Sequence, residues 1–175
     1  MNKVAVFGNA GGGKSTLSKR LAKMTGLPLV VLDRLKYKSG GEEVPHGEFK
    51  AAHDQILQQD RWIIDGFGSL DTLWTRLDVA DTLIYVDMPV LRHYWWVTKR
   101  LLKGLFIPPE GWPENSPLFI GTLNSYATIR LCHQRLTPRY REYVYQAKET
   151  KQVYHLQSCN DVEVFYRAIK MKLTK

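Results

Sequence analysis

The sequence predicts an α/β fold in which helices cover both faces of a parallel sheet. Continuous apolar runs at residues 4–7 and 28–32 are typical of strands that are buried on both faces. Between these runs, Leu17, Leu21 and Met24 recur at helical spacing, which indicates a helix joining two strands. Because strands and helices continue to alternate along the chain, the pattern favours a parallel sheet over an antiparallel one.

The remaining elements follow the same alternation. We expect strands at residues 62–65, 82–87 and 153–156, and helices at about residues 48–59, 90–103, 122–148 and 162–173. Residues 104–121 differ, because several prolines prevent regular structure while Phe106, Trp112 and Phe119 give the segment something to bury. We interpret this segment as an ordered loop or lid, with a plain surface excursion as the alternative. One domain over residues 1–175 is expected, with a lid-like insertion around residues 104–141.

Length and composition fit a single globular domain. The 175 residues are 44% hydrophobic and 24% charged, and their formal net charge is +8. A basic balance is compatible with anionic small molecules, nucleic acid, a membrane surface or no specific partner at all. Lysine and arginine are spread along the chain instead of forming one run, so we favour phosphorylated ligands over nucleic acid. No apolar run approaches the roughly 20 residues that cross a bilayer, so no membrane partner is expected.

Cysteine use and the first residues indicate a cytoplasmic protein. Cys132 and Cys159 are the only cysteines and form no C-x-x-C pair, so we expect reduced thiols and no disulfide. The first apolar run leads directly into a glycine-rich loop, which leaves no room for a removable signal peptide.

That glycine-rich loop has the form G-x-x-x-x-G-K-[ST], which is typical of phosphate-binding loops when it follows a strand and begins a helix. Glycines at the loop let backbone N–H groups surround phosphate oxygens, assisted by the helix dipole. Lys14 should reach the β- and γ-phosphates, Ser15 should offer its hydroxyl to Mg²⁺, and Thr16 should contact a nearer phosphate. The residues assigned to the nucleotide are Gly8, Asn9, Ala10, Gly11, Gly12, Gly13, Lys14, Ser15 and Thr16.

A phosphate-binding loop needs a carboxylate that holds the magnesium ion or its waters, and an aspartate at the end of a nearby strand usually supplies it. Asp65 and Asp87 both end apolar runs and both qualify. The sequence pattern alone does not decide which of the two aspartates holds the magnesium ion.

The chain resembles the adenylate kinase-like P-loop kinases, and among them the topology modulation proteins. The resemblance extends nearly from end to end of the chain. It rests on residues 8–16, 28–33, 62–66, 76, 80–82, 86–89, 99–100 and 155–158. It implies a three-layer fold with a five-stranded parallel sheet in the order 2-3-1-4-5 and a small lid.

This resemblance also assigns roles to the aspartates. The implied strand order places Asp65 beside the phosphate loop, so Asp65 becomes the expected magnesium partner together with Ser15. Asp33 matches the position where related kinases meet the phosphate acceptor, so it would orient an acceptor hydroxyl or take its proton. For Asp87 we favour a capping role before Pro89. Adenylate kinases have Pro-Arg after Asp-Gly-Phe, where this chain has Gly68 and Ser69, which argues against AMP as the acceptor.

Related kinases stabilise the charge of phosphoryl transfer with arginines from a lid. The candidates are Arg100, Arg135, Arg139 and Arg141, and we assign the first three to the site. The expected function is transfer of the γ-phosphate of Mg-ATP to a small molecule, nucleoside or nucleotide. The first alternative is a nucleotide-dependent regulator or NTPase that associates with nucleic acid, and a third possibility is a module that binds ATP without turnover.

Aromatic residues and histidines are given no catalytic role. Tyr94, Trp95 and Trp96 could stack on a base, but packing in the core explains them more simply. The five histidines show no metal-ligand spacing with the cysteines.

Overall fold

The computed structural model describes residues 1–38, 42–104 and 118–174, without the side chains of residues 103–104 and 118–122. The strands are β1 (Lys3–Gly8), β2 (Leu29–Val31), β3 (Trp62–Asp65), β4 (Thr82–Val86) and β5 (Gln152–Leu156). The helices are α1 (Lys14–Thr25), α2 (Leu32–Lys36), α3 (His46–Gln58), α4 (Leu70–Val79), α5 (Val90–Gly104), α6 (Leu118–Arg135), α7 (Thr137–Ala147) and α8 (Cys159–Leu173).

The strands form one parallel sheet in the order β2-β3-β1-β4-β5, which confirms the fold class and strand order. Strand β1 lies at the centre and pairs with β3 on one side and β4 on the other. In this register Val6 lies opposite Asp65 and Gly8 lies opposite Val86. The carboxyl ends of β1, β3 and β4 therefore meet at one edge of the sheet, where open α/β sheets bind their ligands.

Two apolar cores lie on the two faces of the sheet, because successive side chains of a strand point to opposite faces. Ala5 and Phe7 of β1 belong to the core that includes residues of α3, α4 and α7. Val4 and Val6 belong to the core with residues of α1 and α8. Continuous apolar strands thus pack on both faces, as their sequence predicts, and the domain has three layers.

Several element boundaries differ from the expectation. The apolar run at residues 28–32 forms a strand only to Val31, and the chain turns at once into α2, so Asp33 lies in the first turn of that short helix and not directly after a strand. The expected helix over residues 122–148 is divided at Leu136 into α6 and α7. Pro138 lies in the first turn of α7, where proline starts a helix and cannot continue a preceding one.

The lid-like insertion expected around residues 104–141 is described only in part. Residues 105–117 lie outside the described residues, and α6 with the start of α7 makes up the rest of the segment. Within the described ranges, no helix has the length and apolar character needed to cross a membrane.

Candidate active site

The phosphate loop connects β1 to α1 at the carboxyl edge of the sheet. Gly8 ends β1 with φ of 134°, and a Cβ on it would lie 2.2 Å from the carbonyl oxygen of Val86 in β4. Gly13 also has a positive φ and is the N-cap of α1. The first turn of α1 carries no acidic side chain, so its free N–H groups and positive dipole end are available to an anion.

Helix α5 packs directly against the phosphate loop. A Cβ on Gly11 would lie 2.6 Å from Cγ2 of Val97, and a Cβ on Gly12 would lie 2.9 Å from Cε1 of His93. Val97 and His93 are both buried. The glycines therefore serve two purposes, since they leave backbone N–H groups accessible and let α5 approach the loop closely.

Hydrogen bonds of Lys14 and Asn9 hold the phosphate loop in place. The Lys14 ammonium donates a hydrogen bond to the Asn9 carbonyl oxygen, with an Nζ–O distance of 2.7 Å. The Asn9 side-chain amide donates to the carbonyl oxygen of Ile129 in α6 at 3.0 Å. This buried bond attaches α6 to the loop and was not predicted from the sequence, because 120 residues separate the two partners.

Asp65 is buried at the end of β3, with 1% of its surface exposed. Burial raises the pKa of Asp65, while the charge of Lys14 and a hydrogen bond from the Ser15 hydroxyl oppose that rise. Its Oδ1 atom is buried and lacks a hydrogen-bond partner among the described residues. A buried carboxylate oxygen without a partner, beside a serine hydroxyl, fits a magnesium ion, which prefers hard oxygen ligands.

Asp33 lies next to Asp65, and its charge contributes to the raised pKa of Asp65. The Oδ1 atom of Asp33 lies 3.5 Å from the position that a Cβ on Gly66 would take. The structure thus brings together four of the predicted residues, which we call the phosphate-loop cluster: Lys14, Ser15, Asp33 and Asp65.

Arg76 is a charged residue of this region for which no role was predicted. It lies on α4, is fully buried, and donates from Nη2 to the Gly66 carbonyl oxygen at 2.9 Å. Burial lowers the pKa of Arg76 to about 10, so it stays cationic at neutral pH, and its charge is a minor cause that opposes the rise in the pKa of Asp65. An arginine on the same helix face as the buried Leu73 and Leu77 was the available signal.

The three predicted arginines lie on α5, α6 and α7. Arg100 is exposed on α5, with its Nη2 atom 3.5 Å from the Ser125 hydroxyl oxygen. Arg135 is exposed at the last position of α6. Arg139 is exposed on α7, and its guanidinium carbon lies 4.9 Å from the ring centroid of Trp74. Their roles in phosphoryl transfer stay predictions.

A second charged cluster lies at the same edge beyond β4, and we call it the β4–β5 cluster: Asp87, Arg141 and His155. Oδ2 of Asp87 lies 2.8 Å from Nε of Arg141 and 2.9 Å from Nε2 of His155, while Oδ1 accepts from Nη2 of Arg141 at 3.2 Å. The helix cap that we favoured for Asp87 is therefore wrong: its carboxylate is committed to this bidentate contact with α7 and to the contact with β5.

The two partners also set the ionisation of Asp87. Burial alone would raise the pKa of Asp87, but the hydrogen bonds and charges of His155 and Arg141 hold it below its usual value. The contact with Asp87 in turn raises the pKa of Arg141. These residues lie 54 and 68 positions away from Asp87, so no local pattern could have joined them.

The aromatic residues of α5 differ from one another in burial. Trp96 packs against the core of α1 and α8, whereas Trp95 is 63% exposed. The prediction of core packing is thus wrong for Trp95, which lies on the outer face of the helix. Both cysteines are free thiols, Cys132 buried and Cys159 exposed.

Comparisons with known proteins agree with this architecture. The sequence model of one family, described as Isopentenyl transferase, matches residues 1–70. A shikimate kinase from Acinetobacter baumannii, solved in complex with shikimate, has a TM-score of 0.62 and 15% identity, over 99% of this chain and 94% of that one. A shikimate kinase from Bacteroides thetaiotaomicron has a TM-score of 0.56 and 12% identity, over 98% of both chains. No curated protein matched in the sequence search.

The likeness in structure extends over nearly the whole chain, so the fold is that of a P-loop kinase. The family match covers the phosphate loop, Asp33 and Asp65. Neither comparison tests the resemblance to the topology modulation proteins, which stays a prediction.

Proposed function

We propose that this protein is a kinase that transfers the γ-phosphate of Mg-ATP to a hydroxyl group of a small acceptor. The observation that carries the proposal is the convergence of Lys14, Ser15, Asp33 and Asp65 at one edge of the sheet, beside the dipole end of α1. Phosphoryl transfer depends mainly on positioning and electrostatic stabilisation, which are what such an arrangement provides.

Phosphate binding is assigned to the loop itself. The N–H groups of Gly11, Gly12 and Gly13 and the start of α1 would surround the β- and γ-phosphate oxygens. Lys14 now donates to the Asn9 carbonyl oxygen, and on nucleotide binding it would exchange this neutral acceptor for charged phosphate oxygens. The phosphate oxygens carry negative charge that the Asn9 carbonyl lacks, so the exchange adds attraction between opposite charges and favours binding.

The magnesium ion is assigned to Ser15 and Asp65, with the nucleotide phosphates as its other ligands. When bound, it would neutralise charge on the phosphate oxygens during transfer. Proteins often supply only one carboxylate to a nucleotide-bound magnesium ion, because the ion retains several waters and phosphate oxygens among its ligands.

Asp33 is assigned to the acceptor. It would accept the hydroxyl proton while the acceptor oxygen bonds to the γ-phosphorus and the bond to the β,γ-bridging oxygen breaks, releasing ADP. Arg100, Arg135 and Arg139 would approach the transferred group and neutralise its equatorial oxygens. The charge of Lys14 and, to a smaller extent, that of buried Arg76 would favour the ionised form of Asp65 beside Asp33.

A second candidate reaction is supported by the family match. The matched residues 1–70 include the loop and both aspartates, so the same edge could bind an isopentenyl diphosphate, transfer its isopentenyl group to a bound nucleotide and release diphosphate. We rank it second, because the structural likeness to kinases extends over nearly the whole chain and the family match covers only the first 70 residues.

The test follows the label of γ-³²P-ATP in the presence of Mg²⁺ and a panel of nucleosides, nucleotides and small hydroxylated metabolites. A parallel reaction contains unlabelled nucleotide and a ¹⁴C-labelled isopentenyl diphosphate or its isomer. Label from ATP on one acceptor that is lost in Lys14→Ala supports the kinase. Carbon label on the nucleotide would favour the second candidate. Release of inorganic phosphate alone, stimulated by RNA or DNA, would favour an NTPase that acts with nucleic acid.

A further inference from the structure

His93 connects the phosphate loop to the segment that follows β4. Its side chain lies on α5 and is 2% exposed. The Nδ1 atom lies 2.7 Å from the carbonyl oxygen of Ala10, and Nε2 lies 3.1 Å from the carbonyl oxygen of Met88. Both partners are acceptors only, so a neutral ring can donate to one of them, whereas an imidazolium can donate to both.

The ring also limits the shape of the loop. Its Cε1 atom occupies the space into which a side chain at position 12 would project, at 2.9 Å from the expected Cβ. Buried Val97, one turn later on α5, limits Gly11 in the same way. The loop therefore lies on a base formed by His93 and Val97, and His93 also holds it by a hydrogen bond.

We propose that His93 is a positioning residue of the phosphate loop, which holds the Ala10 carbonyl through Nδ1 and keeps the following N–H groups directed at the nucleotide phosphates. The shorter of the two contacts assigns the proton of the neutral ring to Nδ1. This inference rests on the proposed nucleotide binding at the same loop and adds a residue outside the glycine-rich motif to it.

Charged groups around His93 determine its response to nucleotide. Burial lowers the pKa of His93 and the charge of Lys14 lowers it further, while the contacts with Ala10 and Met88 and the charge of Asp87 raise it. The free protein thus holds the ring neutral at pH 7. Bound phosphates add negative charge beside the ring, so binding promotes protonation at Nε2, towards Met88. Nucleotide affinity should therefore increase as the pH falls towards 6.

Two variants separate the two hydrogen bonds. The amide of His93→Asn places a donor near the position of Nδ1 and keeps the bond to Ala10, whereas His93→Gln places one near Nε2 and keeps the bond to Met88. We expect His93→Asn to retain Mg-ATP affinity within about threefold and His93→Gln to weaken it by about tenfold, since one buried carbonyl of the loop loses its partner. His53→Asn is the matched control, because His53 is equally buried but lies on α3.

Calorimetric titrations with Mg-ATP between pH 6 and pH 8 provide the readout, with melting temperatures to show that each variant is folded. As the pH falls from 8 to 6, the Mg-ATP affinity of the wild type should increase relative to that of His93→Asn. Protonation of the nucleotide itself affects both proteins equally, so it does not contribute to this difference. Equal affinities of the two His93 variants, or the wild-type pH dependence in both, would overturn the proposal. If the wild type bound no nucleotide, the proposed function would fail and this inference with it.

A measurement on the wild type avoids any effect of substitution on folding. Nitrogen chemical shifts of ¹⁵N-labelled histidine distinguish the two neutral tautomers and the imidazolium. The Nδ1–H tautomer in the free protein and a larger imidazolium fraction with Mg-ATP are expected. An Nε2–H tautomer that does not respond to nucleotide would contradict the assignment.

Discussion

The phosphate-loop cluster and the β4–β5 cluster lie on the same edge of the sheet but differ in how the sequence encodes them. Lys14 and Ser15 belong to one short motif, and Asp65 ends the strand that pairs with β1. Asp87 instead meets Arg141 and His155, each from a different element far along the chain. Among the described residues, the first cluster leaves a buried carboxylate oxygen without a partner, whereas in the second both carboxylate oxygens of Asp87 have partners.

This difference indicates that the phosphate-loop cluster binds a ligand, whereas the β4–β5 cluster stabilises the fold. An unpaired polar atom in a buried site costs stability and is tolerated where a ligand completes it. A buried carboxylate that is paired in bidentate geometry instead fixes the elements that carry it, here β4, β5 and α7. We therefore expect substitutions in the phosphate-loop cluster to remove activity, and substitutions in the β4–β5 cluster to reduce stability.

The largest effect is expected for Lys14→Ala. The Lys14 cation would stabilise the negative charge that develops on the phosphate oxygens in the transition state. Without it, kcat should fall by about 10³-fold, the upper end of the losses measured for removal of one such group. The measurement is transfer of labelled phosphate at saturating acceptor. Lys23→Ala, on the exposed face of the same helix, is the control and should keep wild-type turnover. Similar turnover in the two variants would refute the assignment of Lys14.

Asp65→Asn should reduce kcat by about 10²-fold and raise the Mg²⁺ concentration needed for half-maximal activity, since the amide lacks the charge that helps Ser15 and the phosphates to hold the ion. Activity is measured as a function of Mg²⁺ concentration. A variant whose rate still rises normally with Mg²⁺ would show that another group holds the metal.

The same substitution should affect stability in the opposite direction. Because burial raises the pKa of Asp65, the native state binds this proton more tightly than the unfolded chain, and the ionised carboxylate costs stability at pH 7. Without nucleotide, Asp65→Asn should melt at a higher temperature than the wild type at pH 7. The difference should shrink as the pH falls through the raised pKa, because the wild-type carboxyl is then neutral too. A lower melting temperature at pH 7 would show that the carboxylate stabilises the free protein.

Arg139→Ala should have an intermediate effect on activity, about tenfold in kcat, if its guanidinium moves from Trp74 to the transferred phosphate. Loss of the cation–π contact should cost only about 0.5–1 kcal/mol of stability. Arg20→Ala is a matched control, since Arg20 lies over the Tyr166 ring at 3.8 Å on α1. If both variants lost the same stability and kept their kcat, Arg139 would serve only to pack on Trp74 and would have no part in phosphoryl transfer.

Asp87→Asn should have the smallest effect on activity, less than about threefold in kcat, but should destabilise the protein by about 1–3 kcal/mol, as expected when a charged hydrogen-bonded group is removed. Its partners hold the pKa of Asp87 below the ordinary 3.8. The difference in unfolding free energy between wild type and variant should therefore be complete above pH 4 and decrease as the pH falls below that value.

Urea unfolding at pH 7 and at pH 3 measures this difference, with exposed Asp60→Asn as the control. A large loss of kcat with wild-type stability would place Asp87 in the chemistry and remove the contrast between the two clusters.

The fold could be predicted largely because its signals are local. Apolar runs such as residues 4–7 and the glycine motif at residues 8–15 each specify their own geometry, and the family resemblance supplied the strand order. The phosphate-loop cluster followed from these two sources. Boundaries were less accurate where one residue changes the backbone, as at Leu136 between α6 and α7.

What could not be predicted depends on contacts between distant segments. The contacts of Asn9 with Ile129, of His93 with Ala10 and of Asp87 with Arg141 each join residues more than fifty positions apart. Burial of Arg76 and exposure of Trp95 likewise depend on which face of a helix meets the sheet. From residue type alone, the arginine would be expected on the surface and the tryptophan in the core.

The most direct test of the central claim is an NMR titration of the ¹⁵N-labelled protein with Mg-ATP, followed at each backbone amide. The account predicts saturable shifts that are largest at Gly11, Gly12, Gly13 and Lys14, since their N–H groups would bind the phosphates directly. Amides at these four positions that stay unchanged at saturating nucleotide, while shifts appear elsewhere, would contradict the claim that this edge of the sheet binds nucleotide through its phosphate loop.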